Sequence, residues 1–235
     1  MTTRREFLQS ASAAGFLLAA PGGPAWSDVP AMTEKARDAL TPDVALERLM
    51  EGNARFASGR MLERDLVTQV RATSAGQFPF AAVLGCIDSR VPPELVFDQG
   101  IGDIFSARIA GNFVNADIIG SFEFATKLAG AKLVVVLGHS ECGAIKGACN
   151  DARLGNLTGT LSNIMPAVHA VSDARGRKDC GSREFVESIA EENVRLNVKA
   201  LIARSAVLHD LAESGKIGIV GAMHDVHSGR VSLIA

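Results

Sequence analysis

The sequence predicts an α/β fold with a mostly parallel sheet of four to five strands flanked by helices. Two short apolar runs, residues 80–85 and 133–138, have the length and composition of buried parallel strands. Helical spacing of apolar residues follows each run, and strands that alternate with helices are typical of parallel sheets with right-handed crossovers. With 235 residues, 47% of them hydrophobic, the chain can bury one full core.

The elements follow in order from a polar arm with a weak helical pattern. Thr41, Pro42 and Asp43 predict a helix start, with an N-cap hydroxyl, a first-position proline and a first-turn acid, and Gly59 ends that helix. The further predicted strands are residues 103–109, 216–222 and a last strand that ends at Ile234. The further predicted helices are one after the turn at 91–94, one capped by Asn115 or Asp117 and ending at Gly130, one from about Cys142, a short one at 164–171 within a loop region at 150–182, and a long one at 183–214.

Three side chains with metal-binding chemistry stand at the ends of two predicted strands. Cys86 follows the first strand, and His139 and Cys142 follow the strand at 133–138. Open α/β sheets bind ligands at the carboxyl ends of their strands. Singly, each motif is weak, because a cysteine after a strand is usually a small buried apolar residue and either His139 or Cys142 could cap the next helix. Together they form the Cys₂His set that holds catalytic zinc with one position open, and we expect one Zn²⁺ per chain.

Asp88 and Arg90 lie two residues apart on the turn after the first strand. On an extended turn their side chains can point to one side and pair. The paired carboxylate could accept a hydrogen bond from a nucleophile at the metal, so both residues are candidate catalytic groups. Two alternatives remain: Asp88 could bind zinc as a fourth ligand, or the pair could only stabilise the turn.

The motif Cys-x-Asp-Ser-Arg at 86–90, followed by Gly-His-x-x-Cys-Gly-Ala at 138–144, resembles the β class of carbonic anhydrases. The resemblance runs from about Thr41 to the C-terminus and includes residues 108–112 and 221–231. It implies a carbonate dehydratase: zinc-dependent, reversible hydration of CO₂ to bicarbonate and a proton, by attack of zinc-bound hydroxide on CO₂. It also implies that Asp88 occurs both paired with Arg90 and bound to zinc, the latter favoured at low pH.

The resemblance further implies a homodimer or dimer of dimers. In the family, a helical arm such as residues 28–58 reaches over the partner subunit, whereas packing on its own domain is the alternative. The zinc-binding α/β catalytic domain then spans residues 59–235. The chain departs from the family near Gln99, which lacks the Gln-Pro-Gly-Glu context and receives no role. An inhibitory bicarbonate pocket built from Trp, Arg and Tyr cannot form, because the chain has no Tyr and its only Trp is Trp26.

The remaining histidines and cysteines give weaker signals. His169, His209, His224 and His227 fall on helix or turn patterns without ligand spacing, and we expect surface or satisfied polar groups. Cys149 and Cys180 could pair, remain free or be buried.

Residues 1–27 predict a twin-arginine export signal. Arg4 and Arg5 precede a short apolar segment, after which proline and glycine break the pattern and small residues flank Trp26. We therefore expect a mature chain that starts near Asp28 in the periplasm or otherwise outside the cytoplasm; the alternative is an amphipathic N-terminal helix. A net charge of −2 gives no reason to expect nucleic acid or an anionic membrane as partner, and no apolar stretch in the mature chain is long enough to span a bilayer.

Two other functions fit parts of this pattern. The same zinc fold could hydrolyse CS₂ or COS instead of hydrating CO₂. Alternatively, the chain could be a non-catalytic dimer module stabilised by zinc, or a redox module that uses Cys86 and Cys142. The presence of both Asp88 and Arg90 argues against this second class.

Overall fold

The computed structural model describes residues 29–234 and contains a five-stranded sheet in the order β2-β1-β3-β4-β5. Strands β1 to β4 run parallel, and β5 pairs antiparallel with β4. This arrangement confirms the predicted α/β class with a mostly parallel sheet. The strands are β1 Ala81–Gly85, β2 Ile104–Arg108, β3 Leu133–His139, β4 Gly218–His224 and β5 Val231–Ile234. The predicted export signal lies outside the described residues.

The helices cover both faces of the sheet. In chain order they are α1 Glu34–Asp38, α2 Pro42–Ala57, α3 Leu66–Thr73, α4 Pro93–Val96, α5 Ala116–Glu123, α6 Gly143–Cys149, α7 Gly155–Ser162, α8 Met165–Arg175, α9 Arg183–Arg204 and α10 Ala206–Glu213. A π-helical turn, Phe124–Leu128, continues α5. No helix in the described part of the chain has the length and apolar character needed to cross a membrane.

Strands β1 and β3 are buried on both faces, as their continuous apolar runs predict. On one face, Ala45 and Leu49 of α2 pack with β1 and β3. On the other face, Val194 and Leu201 of α9 pack with the alternate residues of the same strands. Helix α2, which belongs to the predicted arm, therefore packs on the sheet of its own domain.

The local signals at helix starts act as predicted. The Oγ1 of Thr41 accepts a hydrogen bond from the backbone N–H of Val44 at 3.3 Å, and Asn115 caps α5 through the N–H of Ile118 at 2.9 Å. Helix α2 ends at Ala57, and Gly59 follows with φ of +68°, a conformation that glycine adopts without strain. These contacts set where α2 and α5 begin.

The prediction of one long helix at 183–214 is wrong, because the helix is interrupted at Ser205. Ser205 has an extended backbone; its Oγ accepts from the N–H of Leu208 at 3.1 Å and donates to Glu123 at 2.6 Å. It therefore starts a second helix, α10. The apolar spacing continues across the break, which is why periodicity did not reveal it.

The region 150–182 is also more ordered than predicted. It forms two helices, α7 and α8, in place of one short helix in a loop, and Gly176 ends α8 in the left-handed conformation. A disulfide joins Cys149 to Cys180, which answers the open question of their state. The disulfide links the end of α6 to the segment before α9, so it joins the two ends of the region that contains α7 and α8.

Candidate metal centre

Cys86, His139 and Cys142 come together at the carboxyl edge of the sheet. Their ligand atoms all lie within 4.8 Å of one another, and all three residues are buried. Cys86 follows β1, His139 is the last residue of β3, and Cys142 is the N-cap position of α6. The parallel pairing of β1 with β3 brings the three side chains to one point, as the sequence predicts.

His139 is oriented for metal binding. Its Nδ1 lies 2.8 Å from the carbonyl oxygen of Ser140, which can only accept, so Nδ1 carries the proton. Its Nε2 is buried and has no hydrogen-bond partner among the described residues. A buried unpaired nitrogen costs free energy unless a ligand satisfies it. The ring therefore offers one lone pair to the cluster.

The two cysteine side chains lie close together. The Sγ atoms of Cys86 and Cys142 lie 4.0 Å apart. The hydrogen bond from Cys142 lowers the pKa of Cys86, and the N–H of Gly111, 3.3 Å from the same sulfur, acts in the same direction. That bond between the sulfurs, together with burial, raises the pKa of Cys142. Both sulfurs would have to be thiolates to hold a metal, so metal binding must release the proton that the pair retains.

This donor set fits zinc. Zinc prefers sulfur and imidazole nitrogen ligands, so Cys86, His139 and Cys142 would hold it through three protein ligands, as in catalytic zinc sites that keep one position for a small molecule. The hydrogen bond from His139 to the carbonyl of Ser140 is the kind of outer contact that usually orients a metal-bound histidine.

Asp88 and Arg90 form a bidentate ion pair beside the cluster. Arg90 Nε donates to Oδ1 at 2.9 Å and Nη2 to Oδ2 at 2.7 Å, while the backbone N–H of Arg90 also donates to Oδ1. These hydrogen bonds hold the pKa of the Asp88 carboxyl well below its usual range. The structure therefore shows the paired arrangement, and Asp88 is not in the group of candidate ligands.

The loop between His139 and Cys142 is held by contacts that the sequence did not reveal. Glu141 lies in the left-handed region with φ of +54°, and its carbonyl accepts from Arg90 Nη2 at 3.2 Å. The Oγ of Ser140 accepts from the N–H of Val226 at 3.0 Å and donates to Asp225 at 3.3 Å. These bonds tie the ligand loop to the turn between β4 and β5.

The prediction for His224 as a surface or satisfied group is wrong. Strand β4 runs two residues further than predicted, so His224 is its last residue, in register with His139 and only 2% exposed. The centroid of its ring lies 6.2 Å from that of the Phe56 ring, and neither ring nitrogen has a hydrogen-bond partner in the described part of the chain. His169, His209 and His227 are exposed as expected.

Gln99 is buried, and its side chain donates to the carbonyl of Phe97 at 2.6 Å.

Comparison with known proteins places this chain in a family. The carbonic anhydrase family model matches residues 81–231. Carbonic anhydrase 2 of Mycobacterium tuberculosis is 37% identical over 193 residues, 82% of this chain and 92% of the relative. A carbonic anhydrase of Mycolicibacterium smegmatis is 37% identical over 194 residues, 82% of this chain and 93% of the relative.

Solved structures agree. The β-carbonic anhydrase CcaA has a TM-score of 0.65 and 26% identity, covering 81% of this chain and 95% of that one. The β-carbonic anhydrase CafA of Aspergillus fumigatus has a TM-score of 0.63 and 28% identity, covering 82% of this chain and 89% of that one. The chain therefore belongs to the β class of the carbonic anhydrases and is an enzyme of that family.

Proposed function

We propose that this chain catalyses the reversible hydration of CO₂ to bicarbonate and a proton, with one zinc ion per chain held by Cys86, His139 and Cys142. The observation that carries the proposal is the meeting of three buried donors within 4.8 Å, next to an intact Asp88–Arg90 pair. When bound, zinc lowers the pKa of a water molecule toward 7 and thereby supplies a nucleophile at neutral pH.

The residues around the centre divide the remaining work. Cys86, His139 and Cys142 would hold the zinc ion and leave room for one further small ligand. Asp88 is kept ionised by Arg90, so its carboxylate can only accept hydrogen bonds. By accepting a hydrogen bond from the O–H of the attacking hydroxide, Asp88 would direct an oxygen lone pair toward the carbon of CO₂. Arg90 also contacts the carbonyl of Glu141, so it links the Asp88 turn to the ligand loop.

Hydration measured by stopped-flow mixing tests this function. The mature chain should hydrate CO₂, lose activity when a chelator removes its zinc, and regain activity when zinc is restored. CS₂ and COS, tested in parallel, should be poor substrates. Hydrolysis of CS₂ or COS without hydration of CO₂ would favour the alternative substrate, and hydration that survives complete zinc removal would refute the zinc mechanism.

We also propose that the chain works as a homodimer or dimer of dimers. Three apolar side chains of α3, Leu66, Val67 and Val70, are more than half exposed, as expected of a face that a second copy covers. Light scattering should give the mass of two or four chains, and a monomer at micromolar concentration would contradict this.

Export through the twin-arginine pathway is our proposal for its location. The Cys149–Cys180 disulfide supports it, because disulfides persist in oxidising compartments.

A further inference from the structure

Arg108, the last residue of β2, reaches across to the turn that carries Asp88. Its Nε donates to the carbonyl oxygen of Cys86 at 2.7 Å, and its Nη2 donates to the carbonyl oxygen of Asp88. These two nitrogens form one edge of the planar guanidinium, whose fork geometry is fixed. The contact therefore fixes the relative orientation of the two carbonyls on either side of Ile87.

The turn lies at the surface, and its own hydrogen bonds run from Arg90, whose backbone N–H donates to Oδ1 of Asp88 at 3.0 Å. Ile87 is 61% exposed, and Ser89 and Arg90 are also exposed. The carbonyl of Asp88 additionally accepts from the N–H of Val91 at 3.2 Å. On this exposed turn, the direction of the Asp88 side chain depends on how its backbone is held.

Two guanidinium groups thus act on the same turn in different ways. Arg90 holds the carboxylate of Asp88, whereas Arg108 holds the backbone at Cys86 and Asp88. The N–H of Gly111, three residues after Arg108, donates to the sulfur of Cys86. The end of β2 therefore fixes the turn and one metal-ligand candidate together.

We propose that Arg108 is a positioning residue: by clamping the carbonyls of Cys86 and Asp88, it keeps the Asp88 carboxylate on Arg90 and off the metal. This rests on the proposed zinc function but assigns the role to a residue outside the ligands and the ion pair. Lysine cannot reproduce the contact, because its ammonium group is a single point charge that cannot span two carbonyls.

The test compares Arg108→Lys with Arg37→Lys in the mature protein loaded with Co²⁺, whose visible spectrum reports its ligands. Arg37 is the matched control, because its Nη1 also caps a backbone carbonyl, that of Ala129 at 2.7 Å, on a different part of the fold. Arg90→Ala, which frees the carboxylate, supplies the reference spectrum for Asp88 released from its partner.

We expect the Arg108→Lys spectrum to shift toward that of Arg90→Ala, and Arg37→Lys to keep the wild-type spectrum. In the zinc form, kcat of Arg108→Lys should fall about 10- to 100-fold with KM nearly unchanged, as for a misplaced catalytic group. Arg108→Ala should shift the spectrum at least as far; if it fails to fold, Arg108→Lys carries the test.

A wild-type spectrum in Arg108→Lys at full cobalt occupancy would overturn the proposal, even if kcat fell. The spectral comparison stands apart from CO₂ hydration, so an inactive wild-type protein would refute the proposed function without deciding the role of Arg108.

Discussion

At the scale of single residues, the candidate site is set by where protons and hydrogen bonds lie. Nδ1 of His139 donates a hydrogen bond to the carbonyl of Ser140, so Nε2 is left to bind a metal. The contact with Cys142 and the hydrogen bond from the N–H of Gly111 both lower the pKa of Cys86. The identity of these residues could be predicted from the sequence. The left-handed Glu141 between them could not, because nothing in its side chain favours that conformation.

The Asp88–Arg90 pair gives the first prediction at this scale. The pKa of Asp88 is lowered in the folded protein, so the pair stabilises the fold above the ordinary carboxyl pKa of about 4, and this contribution is lost as pH falls further through the folded-state pKa. While Asp88 is paired with Arg90, its carboxylate therefore stays ionised between about pH 6 and 9, and its protonation does not change stability or activity in that range. A rise of activity with pH in that range therefore does not come from ionisation of Asp88 while it is paired with Arg90.

Arg90→Ala should depress CO₂ hydration across that whole range, including its alkaline end, because the carboxylate keeps its charge and loses its partner. Initial rates measured against pH check this. Arg183→Ala is the control, since Arg183 contacts the side chain of Glu141 at 3.0 Å and leaves the Asp88 pair intact. If Arg90→Ala keeps the wild-type profile, the pair only stabilises the turn.

At the scale of elements, strands and capped helix starts could be predicted because their signals are local. The run at 133–138 is apolar throughout because β3 is buried on both faces, and Thr41 and Asn115 cap helices through their own side chains. Helix α3 went unpredicted because it exposes much of its apolar surface and so lacks a buried stripe.

Element ends that depend on distant partners could not be predicted. The break at Ser205 is stabilised by Glu123, 82 residues earlier in the chain. His224 becomes buried because β4 pairs with β3 up to His139, which extends the strand beyond its apolar run. In both places a tertiary contact overrides the local pattern.

At the scale of the whole molecule, sheet order assembles the centre from distant segments. Cys86 and Cys142 are 56 residues apart and meet because β1 and β3 are neighbours, which two similar strand ends allow one to predict. Arg108 can reach the Asp88 turn only because β2 lies next to β1, on the side opposite β3. The sequence did not indicate that β2 is this second neighbour of β1.

The proposed export route gives a whole-molecule prediction. A twin-arginine route carries folded protein, so zinc can be loaded where thiols stay reduced, while the disulfide can form afterwards outside the cytoplasm. Replacing both Arg4 and Arg5 by Lys should trap active, zinc-loaded protein inside the cell, measured by fractionation and metal analysis. Efficient export of the double variant would contradict this, as would exported wild-type chain that acquires zinc only afterwards.

The most direct test of the account uses the two cysteine pairs of the chain. Zinc content and CO₂ hydration are measured in the same samples of the mature wild-type protein, a Cys86→Ser/Cys142→Ser variant and a Cys149→Ser/Cys180→Ser variant. We predict one zinc per chain and activity in the wild type and in the variant without the disulfide, and loss of both in the variant without the two buried thiols. Full zinc occupancy with wild-type rates after loss of Cys86 and Cys142 would contradict it.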